Sequence, residues 1–161
     1  RYFLVSDVDS MVAYGDSYSG HNKTFTSNKL ALKWYQKAAE RGNATAMVRM
    51  GTIYREGWSD EESYWKAIDC YQNAVELDSL NIEALSELGG TFGLEAGDYK
   101  TGHSYLDMAL EIDSTYLDAL WYKACFYVKQ DNDVQMKKII QRIDIIDSTF
   151  VDRKIKEMND D

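Results

Sequence analysis

Two histidines and two cysteines are the side chains of this chain best suited to proton transfer, nucleophilic attack or soft-metal binding. His21 stands in the polar stretch "SGHNKTFTSN" (19–28), which reads as a loop, and His103 lies in a helical pattern. Neither has a second His or a Cys at metal-ligand spacing, so both are expected to be surface or helix-packing residues. Cys70 and Cys125 each sit in an apolar helical pattern, in unrelated contexts. Two small buried thiols are expected there, not a disulfide, which leaves the redox compartment open. Asp60-Glu61-Glu62 opens a helical pattern, where carboxylates suit the positive end of the helix dipole. "GLEAGDYKTG" (93–102) carries glycines, but it leads out of a helix and lacks the arrangement of a phosphate loop. No nucleophile or base has an orienting partner in sequence reach. The expectation is a protein that is not an enzyme and holds no cofactor or metal.

The elements around these residues follow from composition and period. Hydrophobic residues make up 45% of the 161 and charged residues 28%, which places the chain among globular proteins of one-domain size. The net charge of −9 argues against a binder of phosphate backbones, which needs clustered Lys and Arg. It suits solubility, and it suits a basic partner. No apolar run reaches the length of a membrane span. "RYFLVSDVDS" lacks an initiator Met and a basic-then-apolar leader, and reads as the start of a processed or trimmed chain. A soluble protein is expected, cytoplasmic or, if a signal was removed, periplasmic or secreted. Proline is absent, so helices can run on and turns must use Gly, Asn, Asp and Ser.

One phrase recurs. Ile112-Asp113-Ser114-Thr115 returns as Ile146-Asp147-Ser148-Thr149, and Leu77-Asp78-Ser79-Leu80 is close to both. The three aspartates stand 35 and 34 residues apart, and Gly15, Gly51, Gly89 and Ala124 stand 36, 38 and 35 apart. Apolar residues around each landmark fall on one helical face: Met11 and Tyr14, Met47 and Tyr54, Leu85 and Leu88, Leu120 and Tyr127. A second helical pattern follows each: Ala31-Tyr35-Ala38, Ala67-Tyr71-Ala74, Gly102-Leu106-Ala109, Met136-Ile140-Ile143. The spacing predicts first helices near 8–19, 44–55, 82–94 and 116–129. Second helices are expected near 28–41, 62–77, 99–112 and 133–146. "ERGNA" (40–44), "EAGDYK" (95–100) and "KQDND" (129–133) supply the turn residues. One hairpin cannot bury its apolar face alone, whereas stacked copies can, with the repeated phrase as the joint.

"ALKWYQKAAERGNATAMVRMGTIYREG" (31–57) resembles a Sel1-like unit, with Met50 at the place of a usual Leu. "AIDCYQNAVELDSLNIEALSELGGTF" resembles tetratricopeptide repeats, with Ser79, Ser114 and Ser148 replacing the usual Pro after Asp. The resemblance covers about residues 8–158 and implies an all-α fold. That fold is a right-handed α-solenoid of about four helix-turn-helix repeats plus a C-terminal capping helix. A single domain over 1–161 is expected, with repeats at 8–41, 44–77, 82–112 and 116–146, and a cap over 149–158 with a polar outer face. Lys123 and Ile143 depart from the pattern, and looser packing, or an end module with different neighbours, is expected near them.

The resemblance implies a concave face lined by first helices. Phase nominates Asp9, Val12, Asp16 and Ser19; then Thr45, Val48, Thr52 and Arg55. Glu83, Ser86, Gly90 and Gly93 follow; then Asp118, Trp121, Cys125 and Val128. Trp121 beside a patch of Ser86, Gly90 and Gly93 would form a pocket with one aromatic wall, or would itself fill the gap that the glycines leave. Related domains that clamp a C-terminal carboxylate use Lys, Asn and Arg; Val12, Val48, Asp16 and Thr52 stand here instead, so that activity is not expected. The carboxylates tilt the groove negative, with Arg55 the exception. The function expected is a protein-interaction module for a neutral to basic protein or peptide, with no nucleic-acid partner. The alternatives are an acidic chaperone or immunity-type protein masking a basic surface, and a homo-oligomer joined through its end repeats.

Overall fold

The computed structural model describes residues 7–19, 25–57 and 61–160. Its elements are helices throughout: α1 (Val8–Ser19), α2 (Phe25–Ala39), α3 (Ala44–Gly57), α4 (Glu61–Leu77), α5 (Ile82–Leu94), α6 (Tyr99–Ile112), α7 (Leu117–Lys129), α8 (Asp133–Ile146) and α9 (Phe150–Asp160). Each begins within about three residues of the position that the apolar phase sets. Backbone contacts divide the chain into two compact units, Arg1–Leu88 and Gly89–Asp161, with the division inside α5. His21 and Asp60 lie outside the described residues.

The helices stop and start for identifiable reasons. Asn43, Asn81, Asp98 and Asn132 accept the backbone N–H three residues on, at 2.8–3.2 Å, and so open α3, α5, α6 and α8. After α2, Gly42 takes φ +79°, and its N–H and that of Asn43 close onto the carbonyls of Ala39 and Ala38. Gly97 (φ +71°) does the same work after α5. After α7 the left-handed residue is Asp131, at φ +52°.

The recurring phrase is a helix stop. The Asp113 N–H donates to the Ala109 carbonyl and ends α6, while Asp113 Oδ1 accepts from Thr115 N (2.8 Å) and Thr115 Oγ1 (2.7 Å). Asp147 repeats both bonds with Thr149 at 2.9 and 2.8 Å, and Asp78 keeps the backbone bond with Leu80 N at 3.1 Å. The aspartate closes the turn; the following serine gives no cap, and Tyr116 enters α7 without a side-chain capping bond.

In the first unit α1 lies on α2, α2 on α3 and α3 on α4. Its core holds Met11, Ala31, Tyr35, Ala38, Ala46 and Ile53. A Cβ on Gly15 would enter the ring of Tyr35, and one on Gly51 would stand 2.5 Å from the ring of Tyr71. Both rings are fully buried. In the second unit α6 lies on α7, α7 on α8 and α8 on α9. There Gly89 and Gly102 face each other, so that a Cβ on either would stand 2.9 or 2.8 Å from the other's carbonyl oxygen. Leu120, Ile143 and Phe150 form the core at the far end. Lys123 is largely covered and paired with Asp107, and Ile143 is fully buried, so neither residue marks loose packing. The exposed residues of α9 are mainly polar, Asp152, Arg153, Lys156, Glu157 and Asn159, with Ile155 and Met158 exposed among them.

Candidate functional site

The face with the most organised polar chemistry belongs to the first helices of the first unit. Tyr35 reaches from α2 beneath Gly15, and its hydroxyl donates to Asp16 Oδ1 at 2.7 Å, with Ser19 Oγ 3.1 Å away. Burial, the first cause, and the Asp16 carboxylate push its pKa up to about 12. Arg49 of α3 stands between two carboxylates, its Nε 3.7 Å from Asp16 of α1 and its Nη1 3.0 Å from Glu83 of α5. One turn and a half further along α3, Arg55 pairs with Glu87, and each of these side chains is only 17% exposed. Thr52, between them, donates to the Val48 carbonyl and lies 3.3 Å from the buried Tyr71 hydroxyl. The result is a row of alternating charges across three consecutive first helices.

This arrangement gathers Asp16, Thr52, Arg55 and Glu83 from the nominated residues. Asp9 and Thr45 are exposed nearby on α1 and α3, and Val12 is half-buried against the core. Val48 and Ser86 are corrected: they are fully buried and line no open face. Their chain neighbours reach solvent instead, Arg49 half-exposed and Glu87 only partly so, a rotation of one residue or about 100° on a helix. The sequence signal was present, since a charged residue beside Val48 or Ser86 is the better candidate for solvent.

In the second unit Gly90 and Gly93 are also buried, which overturns their place in a pocket. A Cβ on Gly90 would stand 2.6 Å from the Tyr122 ring, and one on Gly93 would enter the Phe126 ring. The gap is filled, but by Tyr122 and Phe126 and not by Trp121. Trp121 turns to Phe150 of α9, edge to face at 6.2 Å between centroids. Asp118, one turn earlier, pairs with Lys154 of α9 at 3.1 Å. Cys125, one turn later, is half-buried, and burial raises its thiol pKa. These three nominated residues share a face, and α9 lies against it.

Both cysteines are free thiols. Burial pushes Cys70 up to about 12, far from a reactive thiolate. His103 stacks edge-on with Phe126 at 5.1 Å, and burial, then Lys123, lowers its pKa. Among the described residues, no three His, Cys, Asp or Glu gather to hold a metal ion, and no helix is long and apolar enough to cross a membrane.

The fold is shared with solved helical-repeat proteins. The chain is similar to a crystal structure of MamA protein (TM-score 0.68, 18% identity), covering 89% of this chain and 75% of that one. A second MamA structure gives a TM-score of 0.64 at 15% identity, over 95% and 81% of the two chains. A Sel1 repeat protein from Oxalobacter formigenes gives 0.59 at 23% identity, over 85% of this chain and 58% of that one. The all-α helical-repeat fold expected from the residues is therefore met. No family model and no curated protein matches the chain.

Proposed function

We propose that this chain is a non-enzymatic protein-binding repeat module whose partner lies along α1, α3 and the first turns of α5. The observation that carries this reading is the half-exposed placement of Arg49 between Asp16 and Glu83, continued by Arg55 and Glu87. The Arg49 pairs are half-exposed, and such pairs add little to stability, under about 1 kcal/mol each. Fixed in a row, they present donors and acceptors to the backbone and polar side chains of another polypeptide. Helical-repeat folds use such faces for binding. Two arginines among four carboxylates, Asp16, Glu56, Glu83 and Glu87, leave the face negative, which suits a neutral to basic partner.

The test compares wild-type protein with Arg49→Glu and Arg55→Glu as baits in affinity capture, with Lys138→Glu, on α8 of the second unit, as a charge control. A partner held by wild type and control but lost from the two variants is expected. Equal recovery on all four baits removes the reading. A second reading, a mask for a basic surface, is favoured by the net charge of −9. It requires capture that weakens steeply with salt.

A further inference from the structure

A groove of about 470 Å³ opens between α3 and α4 in the first unit, apart from the charged row. Its walls are aromatic and aliphatic: Tyr54 and Met50 from α3, Trp65 from α4. Trp65 is 48% exposed and, among the described residues, has one ring contact, to Tyr64 at 5.3 Å. The charged residues of the lining are Glu62, Asp69 and Lys66. Lys66 already sits as a cation over an aromatic face, 5.9 Å from the Tyr54 ring centroid, and pairs with Glu62 at 2.6 Å. Asp69 takes a weak bond from Asn73 at 3.3 Å and has no ion pair of its own among those described.

We propose that this groove receives an arginine side chain of a partner polypeptide. The guanidinium stacks on Trp65, and the Asp69 carboxylate accepts from it. Three features select that occupant. The surface is mostly apolar with two carboxylates and one amine, so its charge complements a cation. An exposed indole is the best aromatic face for a cation, and the flat guanidinium covers it better than an ammonium does. Lys66 reaches over Tyr54 and onto Glu62 from within the chain. It is an internal competitor whose removal frees a second carboxylate. The proposal is independent of the charged row, because none of its residues lines the groove.

The probe is N-acetyl-arginine methylamide, with the citrulline analogue as a neutral control of the same shape. The indole N–H signal of Trp65, assigned by its loss in Trp65→Phe, is followed by NMR. A saturable shift with the arginine compound and none with citrulline is expected. Asp69→Asn should weaken binding about threefold to tenfold and Lys66→Gln should tighten it about threefold, the range of a single exposed charge contact. Arg49→Glu, which tests the other face, should leave the titration unchanged. Equal shifts with citrulline, a shift confined to other indoles, or weaker binding in Lys66→Gln would overturn the proposal.

Discussion

In Arg1–Leu88 the joint between paired helices is a glycine under a tyrosine; in Gly89–Asp161 it is a glycine against a glycine. Gly15 and Gly51 each lie beneath the ring that follows twenty residues later, Tyr35 and Tyr71. Gly89 meets Gly102 and Leu106 instead, and the Phe126 ring presses on Gly102 from α7. The phase of the glycines is common to both, and the filler is not. A missing Cβ sets where two helices may approach, and whichever side chain is at hand fills the space. A buried phenol then needs a partner for its hydroxyl, which Asp16, Ser19 and Thr52 supply. A buried leucine needs none.

The largest test of this contrast is an added methyl group. Gly89→Ala would drive Cβ against a backbone oxygen, which cannot swing aside, and should cost about 3 kcal/mol or more by chemical denaturation. Gly51→Ala meets a ring that can tilt, and should cost about 2 kcal/mol. Equal losses would mean that the two joints are mechanically alike. Next come the hydroxyls: Tyr35→Phe leaves the Asp16 and Ser19 bonds unmet and should cost about 1–1.5 kcal/mol. No residue of the second unit offers an equivalent substitution at its glycine joint.

Titration separates the units further. Burial raises Tyr35 to about 12 and raises Tyr71 as well, so both are neutral in the folded state. Each contribution is complete below pH 10, the ordinary tyrosine value; that of Tyr35 is lost as pH rises through about 12, and that of Tyr71 is lost likewise on the alkaline side. Tyrosinate absorbance should show a late step that disappears in Tyr35→Phe and Tyr71→Phe. In the second unit His103 is shifted down from 6.5 by burial, so its contribution is present above that pH and falls away on the acid side. His103→Gln should flatten the melting temperature below pH 6.5.

Two gains are expected at the small end. Ser86 Oγ is buried without a hydrogen-bond partner among the described residues, so Ser86→Ala should stabilise by about 1 kcal/mol. Asp131 adopts the left-handed conformation that Gly42 and Gly97 hold elsewhere, so Asp131→Gly should gain about 0.5 kcal/mol. Thermal melts read both, and a loss at position 131 would mean that its carboxylate has a role that the turn does not explain.

Much of the fold was legible in the residues. Gly15, Gly51 and Gly89 stand in phase, and Ala31-Tyr35-Ala38 and its echoes mark the buried faces, because helix packing imposes its period on sequence directly. The candidate site was legible in part. Asp16, Arg55 and Glu83 were within reach of phase, but Val48 and Ser86 were placed outward when a rotation of one residue buries them. A helix surface is one residue wide, and an error of about 100° exchanges core for solvent. Gly90 and Gly93 misled for another reason. A small residue reads equally well as open surface or as the seat of a large neighbour, and only contact with Tyr122 and Phe126 of α7 decides between them. The pairing of Trp121 with Phe150 is likewise fixed by a helix some thirty residues away.

The stops at Asp113 and Asp147 match bond for bond, from the incoming helix carbonyl to the threonine hydroxyl and on to the N–H of the third residue after Asp. Seams that share these backbone and threonine bonds make what lies between them a cassette. The chain from Ser114 to Asp147 can be duplicated or spliced with both cut ends landing in the same local geometry, so length can change by whole hairpins without a new turn having to be invented.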